Sequence, residues 1–581
     1  MSVLAGIYYF DRRPITSALS HRMTEALRRY VSDEPEVHIE PGLLMVCQVV
    51  HVTPEDESAR QPLVSRRGTV LVWDGRLDNR GEICRAFGSA STASDAELVL
   101  EAYDIAGQDV FHQLIGDWSL VVWQPRERTL VLASDYMGVR PLCYRHEADF
   151  VAWSSSAEFL LELTGACEID EEFVVGHLTY SAPPDHTPYS GVLSVSPAHA
   201  ISFAATKPPV KRAFWDLPHR SLRYSDERDY DEHFRQVLAD AVRVRLRSSG
   251  PVWAELSGGL DSSAIVCIAD ELLRNGKAAD VELATISRFS PTSIGSDERR
   301  FIRVVQEQVK RPEVYVALDE CLIESLRSTD ATWPRRWGAE ERELELMEKA
   351  GAKVLLSGRL GDAVMGNMVD DSISLASHLR RGALGTLVRE ARLWALATRQ
   401  PIAHVLGAAL VPLLPLSWQL EASHRDFLRR HQGTRPSHVG PACELFSVKP
   451  TALESMRERL RTYLQKALTY PELSKRQLVT VLCRYSVHRE LESPTRAGSS
   501  ATTYPYSHRP LVEFVMSIPQ HVLVGPGEPR LLMKRALAGT VPSRILQRFS
   551  KSTGNTYKAR CVKVVGGHLL TATNELEVVE R

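Results

Sequence analysis

The stretch Glu255-Leu256-Ser257-Gly258-Gly259-Leu260-Asp261-Ser262-Ser263 constrains this chain more than any other. A short apolar run, Val252-Trp253-Ala254, precedes it, with Pro251 in front. An apolar-rich run from Ala264 to Leu273 follows and closes on Asn275-Gly276. That order reads as strand, glycine-rich turn and helix, with a glycine stop. Two adjacent glycines let the backbone come close to an anion. Exposed N–H groups and a helix N-terminus then hold negative charge without a lysine. Ser257, Ser262 and Ser263 add hydroxyl donors. Asp261 would repel a bare phosphate, so its presence predicts a bridging Mg2+. The plainer alternative is a serine- and glycine-rich turn with no ligand.

The motif resembles the pyrophosphate loop of the ATP pyrophosphatases, which split ATP between its α and β phosphates. It lacks the Gly-Lys-Ser/Thr ending of a P-loop. The resemblance implies an ATP site formed by Leu256, Ser257, Gly258, Gly259, Asp261, Ser262 and Ser263, with Ile286 on the next strand.

At 581 residues the chain exceeds one ordinary core, which predicts two domains of unequal size. A formal charge of −2 argues against general affinity for nucleic acid. Nine cysteines lie singly, with no Cys-x-x-Cys pair. They are expected to be reduced and mostly buried, in a cytoplasmic protein without a zinc site. Met1 to Tyr9 lacks the basic start and long apolar stretch of a signal peptide. Gln400 to Leu420 carries no Asp, Glu, Lys or Arg and is long enough to span a bilayer. Pro412, Pro415, His404 and Gln419 favour a buried or groove-lining helix, with membrane contact through 400–420 as the alternative.

Residues 1–208 read as a β-rich domain. Thr69 to Trp73 is a strand, and Asp74-Gly75 has the composition of a hairpin turn. Leu120 to Trp123 and Thr129 to Ala133 form a hairpin around Pro125. Ser94-x-x-Glu97 is a capping box opening a helix that ends near Gly107.

Four segments of this domain resemble, in order, the glutaminase domain of asparagine synthetases. They are Asp74-Gly75-Arg76-Leu77-Asp78-Asn79, Ser94-Asp95-Ala96-Glu97, Leu114 to Ser119, and Asp135 to Leu142. The resemblance implies an N-terminal-nucleophile hydrolase fold, two stacked sheets between helices. The departures concern activity. The family's nucleophile is a Cys exposed at the mature N-terminus before Gly-Ile, and the matching triplet here is Ala5-Gly6-Ile7. The family's glutamine-site Asn falls on Asp74, and the Arg expected near Gln48 to His51 is absent. Asp95 is kept. The expectation is a glutaminase relic. Ser2 as a processed N-terminal nucleophile is the alternative.

Lys207 to Asp216 is rich in proline and turn residues, and 209–224 is expected to link the domains. Ser225 to Arg247 reads as an amphipathic helix, with Phe234, Val237, Leu238, Ala241 and Val244 on one face. From Val252, strands and helices alternate: Val281 to Ile286, a Ser296-capped helix to Val309, Val314 to Leu318, Glu340 to Ala350, and Lys353 to Leu356. The fold class expected for 225–581 is α/β, a doubly wound parallel sheet, with ligands beyond the carboxyl ends of its strands.

Ser357-Gly358-Arg359-Leu360-Gly361-Asp362 resembles the family's Ser-Gly-Glu-Gly-x-Asp-Glu loop. The resemblance adds Ser357 and Gly358 to the ATP site and makes Asp362 the second Mg2+ ligand beside Asp261. A helix-capping Asp is the plainer reading. Arg359 replaces an acidic group tied to the reacting substrate. It cannot act as a base, but it can clamp a carboxylate or phosphate bidentately. Residues 368–480 are helical, arginine-rich and poorly matched. The match resumes at Tyr504 to Phe514, Met533 to Leu537 and Val541 to Arg548. The family's catalytic lysine falls on Lys551. Its implied role is to stabilise charge on the α-phosphate and the oxyanion.

Together these features resemble the asparagine synthetase superfamily, and most of all the lasso peptide cyclases. The implied activity is adenylation of an Asp or Glu side chain of a precursor peptide, then ring closure by its N-terminal amine. The implied partners are that peptide and a leader protease or leader-binding protein. An asparagine synthetase-like or β-lactam synthetase-like ligase, and a non-catalytic peptide-binding relic, are the other readings.

Overall fold

The computed structural model describes residues 2–28, 34–57, 59–165, 167–170, 172–174, 185–290, 297–318, 339–366, 371–415 and 500–548, with scattered positions from 418 to 479. Ser296 and Lys551 lie outside the described residues.

The first half holds two six-stranded sheets. One runs 192–194, 143–146, 150–154, 3–9, 43–48, 36–40; the other runs 207–213, 199–204, 129–134, 116–124, 70–77, 63–64. All their pairings are antiparallel. Alternation along the strands gives each sheet two apolar faces. Leu4, Tyr8, Met45, Val70, Val72, Val121 and Leu132 fill the layer between the sheets. Helices Arg80–Phe87 and Asp95–Ala106 cover one outer face through Leu98, Val99, Ala102 and Trp118. Helices Ser17–Leu27 and Ala157–Thr164 cover the other. This is the four-layer N-terminal-nucleophile hydrolase arrangement. The Ser94 capping box forms as expected and opens Asp95–Ala106, with Gly107 at its end.

Two expectations fail here. Asp74 and Gly75 do not turn the chain. They lie inside strand Val70–Leu77, opposite Ser119 and Trp118. A Cβ on Gly75 would lie 2.5 Å from the Asp117 carbonyl and 2.6 Å from the Trp118 Cβ, so close approach of a neighbouring strand requires glycine. Lys207–Ala213 is not linker but the edge strand of the second sheet. Pro208 and Pro209 are tolerated because an edge has N–H positions that pair with nothing. The connection between domains therefore starts after Ala213.

The second half centres on a five-stranded parallel sheet, ordered 313–317, 283–289, 252–255, 354–356, 501–503. Val252, Ala254 and Leu256 point to one side, into the core with helices Glu227–Arg245, Leu260–Arg274, Arg299–Val309 and Arg509–Ser517. Trp253 points to the other side and meets Ala284, Leu355 and Met347 of helix Ala339–Lys349. The fifth strand, Ala501–Thr503, has no apolar run to announce it.

Helices Asp371–Arg380, Leu384–Thr398 and Ile402–Ala408 pack on one another through Leu375, Leu387, Ala391 and Val405. Within the apolar 400–420 stretch the described residues form a seven-residue helix, Ile402–Ala408, and a short 3-10 turn, Val411–Leu413, around Pro412. Val405 and Ala409 are buried, while Ile402, Leu410 and Leu413 are exposed. No helix among the described residues is long and apolar enough to cross a membrane.

Candidate active site

The carboxyl ends of strands Val252–Glu255 and Val354–Leu356 lie side by side and carry the two loops. At the first, the Leu256 N–H donates to the Ile286 carbonyl at 2.8 Å, so the strand ends in register. Gly258 then turns at φ 68°, and a Cβ there would sit 2.8 Å from the Phe301 Cβ. Gly259 is the N-cap of Leu260–Arg274. Ser262 folds back on the turn: its hydroxyl accepts from the Ser257 N–H at 3.1 Å and donates to the Gly259 carbonyl at 3.3 Å. These two hydrogen bonds brace the turn from within.

The second loop presses on the first. A Cβ on Gly358 would lie 3.0 Å from Ser262 N, and one on Gly361 would lie 2.6 Å from the Asp261 carboxyl carbon. Ser357 is tied to Thr503 by its N–H at 3.0 Å and to Glu255 by its hydroxyl. Asp261 and Asp362 each stand in the first turn of a helix and share one neighbour, the Arg530 guanidinium. Behind the loops, the Tyr506 hydroxyl donates to the Asp261 carbonyl at 3.2 Å.

Ser257 is the exposed residue of the loop, while Leu256, Gly258, Gly259, Asp261, Ser262 and Ser263 are all buried around it. Ile286 does not line the loop with its side chain, which is buried among Trp253, Ala284, Val316 and Met347. Strand alternation sends it to the face away from the turn. Arg359 is half exposed and pairs with Glu340 at 2.9 Å. Glu340 belongs to a larger charged cluster. Arg288 grips Glu343 in a fork and lies 3.5 Å from Glu255 and 3.9 Å from Glu340. Burial pushes the Glu343 carboxyl up, and the opposing pull of Arg288 does not cancel it.

Arg530, Glu340, Arg288 and Arg548 have no place in the site read from sequence. For Arg530 a signal existed: a basic residue at a helix N-terminus opposes the helix dipole and needs a reason. Arg548 donates to the Gly258 carbonyl at 2.8 Å, pairs with Glu298 at 2.6 Å, and stacks on Phe301. It thereby brings the chain to the pyrophosphate-type loop three residues before Lys551.

In the N-terminal domain, Ala5 is a buried interior residue of strand Val3–Tyr9, between Val46 and Ser154. Gly6 packs against the Trp153 ring. The residue beside Asp74 is Ser2. Its N–H donates to Asp74 Oδ1 at 2.8 Å, and its hydroxyl accepts from the Val50 N–H at 3.1 Å. Asp95 is engaged by Arg247 and Arg80 and accepts from the Leu77 N–H, which makes it part of the domain junction.

Two family models match the chain in succession. A glutamine amidotransferase domain covers 1–215 and an asparagine synthase domain covers 233–562. The second spans more than half of the chain, which therefore belongs to the asparagine synthase family. A putative glutamine-hydrolysing asparagine synthetase of Methanocaldococcus jannaschii is 25% identical over 373 residues, 62% of this chain and 68% of the relative. Asparagine synthetase 1 of Bacillus subtilis is 22% identical over 521 residues, 85% and 77% of the two chains. An amidase of Gibberella zeae, chry2, is 25% identical over 456 residues, 73% and 64%. The chain is an ATP-dependent carbon–nitrogen ligase that forms AMP and pyrophosphate.

Proposed function

We propose that this ligase is a lasso peptide cyclase. It adenylates an Asp or Glu side chain of a precursor peptide and closes a macrolactam with the peptide's own N-terminal amine. The observation that carries the reading is the pairing of Arg359 with Glu340 at the edge of the site. Where relatives carry an acid, this chain presents a fixed cation, suited to orienting a carboxylate or phosphate. Holding amine and acyl-adenylate on one peptide replaces a bimolecular encounter, so positioning does much of the work.

Asp261 and Asp362 fit a Mg2+ site. Both already face one cationic group, and an ion held mainly by phosphates needs only one or two protein carboxylates. Bound there, Mg2+ would neutralise charge on the leaving pyrophosphate. Lys551 takes the role of stabilising the α-phosphate and the oxyanion. The partners are the precursor peptide and a leader protease or leader-binding protein, with no nucleic acid, in the cytoplasm, and with membrane contact through 400–420 as the alternative.

The N-terminal domain supports a synthetase without glutaminase activity. Both hydrogen-bonding groups of Ser2 are engaged, and no Cys precedes Cys47. The second reading, an asparagine synthetase-like ligase, is favoured by the names of the relatives.

One experiment separates the two. Supply ATP and Mg2+ with peptides bearing a free amine and a single Asp or Glu, or with aspartate plus ammonia or glutamine. Cyclisation, read as loss of one water in mass with pyrophosphate release, supports the cyclase. Asparagine formation with no cyclised peptide refutes it, and glutamate released from glutamine refutes the glutaminase relic.

A further inference from the structure

Asp261 and Asp362 do not face open space. The Arg530 guanidinium lies between them, Nη1 2.9 Å from Asp261 Oδ1 and Nη2 against Asp362 Oδ1. The Arg530 and Asp261 side chains are 11% and 8% exposed, whereas Asp362 is 40% exposed. One cation is thus already set between the two carboxylates, open to solvent mainly on the Asp362 side.

Arg530 holds this place against its backbone preference. It sits at φ 59° and ψ 36°, the left-handed region, just before helix Leu531–Ala536. A positive charge at that helix start also opposes the dipole. Its Nε is buried with no hydrogen-bond partner among the described residues. What holds the side chain is the pair of anions at its tip.

We propose that Arg530 is the resident counter-ion of the two-carboxylate site, and that a divalent metal replaces it only when it arrives together with a triphosphate. Two carboxylates close enough to share one guanidinium repel each other unless a cation lies between them. A free metal ion would have to expel the guanidinium with no anion to receive it. A metal–nucleotide complex brings that anion, and a guanidinium fork matches phosphate oxygens. Arg530 is therefore a positioning residue that makes the site select the metal–ATP complex over free metal. This rests on the reading that the site takes ATP with Mg2+.

The test is metal binding to the nucleotide-free full chain. Mn2+ alone is titrated into the parent protein, Arg530→Gln and Arg530→Lys, with free Mn2+ read by electron paramagnetic resonance. Removing charge-assisted contacts that compete with the ion should tighten Mn2+ binding in Arg530→Gln on the order of tenfold or more. Arg530→Lys keeps the charge but cannot span both carboxylates, and should show a smaller gain. Mg·ATP, titrated separately, should bind Arg530→Gln more weakly than the parent. Unchanged Mn2+ affinity in both variants overturns the proposal. A parent chain that fails to bind Mg·ATP sinks the ATP reading instead, while the Mn2+ result still decides whether Arg530 is the counter-ion.

Discussion

Arg245 and Asp78 meet across the two domains at 2.8 Å, with both side chains removed from solvent. Arg245 ends the long helix Glu227–Arg245 of the synthetase domain, and Asp78 follows strand Val70–Leu77 of the N-terminal domain. The same guanidinium donates to Asp117 at 3.1 Å and to the Thr503 hydroxyl at 3.0 Å. Arg76 returns the contact by donating to the Val244 and Arg245 carbonyls at that helix's C-terminus. Thr503 ends the last parallel strand, and Tyr506 just beyond it touches Asp261. The junction and the ATP site are therefore built on one short segment.

Arg245→Ala should destabilise the protein by about 3–5 kcal/mol, because it leaves Asp78 and Asp117 buried without their main counter-charge. Urea unfolding of parent and variant measures this. A loss below about 1 kcal/mol, the range of an exposed pair, would show that the network shares its charges in another way.

The junction also sets the response to acid. Burial alone raises the Asp78 carboxyl, but Arg245, His508 and Arg76 outweigh it and hold it well below the usual range. Asp95 is likewise raised by burial and lowered, on balance, by Arg247 and Arg80. A carboxylate depressed in the folded state stabilises fully above its unfolded pKa of 3.8 and loses that contribution as pH falls towards its folded value. Stability should therefore drop steeply below about pH 4, and Asp95→Asn should flatten that slope. Asp56 has the opposite sign. Burial, then the charge of Asp95, pushes it up to about 6. Its contribution is lost as pH rises from 3.8 to about 6, so Asp56→Asn should help more at pH 7 than at pH 4. Equal effects of Asp56→Asn at both values would contradict the assignment.

Gly361→Ala should damage the site and spare the fold. The added Cβ would lie 2.6 Å from the Asp261 carboxyl carbon, which no side chain accepts without moving. The Asp261 carboxylate would have to move, and a misplacement of about 1 Å in a catalytic site costs on the order of 100-fold in activity. Pyrophosphate release should fall while the unfolding midpoint stays close to the parent's. Full activity in this variant would show that Asp261 need not sit where the structure places it.

What the sequence made legible follows from how local the signal was. Val252, Ala254 and Leu256 alternate with Trp253, and the two faces they define are the two faces of the sheet. The Ser94–Glu97 box needs only neighbours along the chain, and it formed. Asp74-Gly75 misled because turn composition and close strand approach select the same glycine. Ala501-Thr502-Thr503 was invisible because a three-residue strand has no period, and its partner, Val354–Leu356, is far away in the chain. The sequence offers Ala5 and, as the alternative, Ser2 for the nucleophile position, and only the folded chain shows Ser2 hydrogen-bonded to Asp74. Arg530, Glu340 and Arg288 act through partners that only the folded chain brings near.

Arg359 gives the sharpest test of substrate recognition. It stands 46% exposed at the edge of the site, paired with Glu340, which is 23% exposed. A pair this open contributes at most about 1 kcal/mol to stability, so any large effect of changing it must come from function. If Arg359 orients a carboxylate or phosphate, the fork matters as well as the charge. Arg359→Lys should then be nearly as damaging to ligation as Arg359→Ala, because lysine supplies a point charge without the planar pair of donors. Glu340→Gln should cost less than either, since it frees the guanidinium without removing it. Ligated product and pyrophosphate should be followed together in all three variants, with unfolding midpoints alongside. Loss of both products with unchanged midpoints places Arg359 at or before adenylation. Loss of ligated product with pyrophosphate retained places it at amine attack. If Arg359→Ala and Arg359→Lys both ligate at the parent rate, Arg359 is a surface partner of Glu340, and the altered loop carries no information about the substrate.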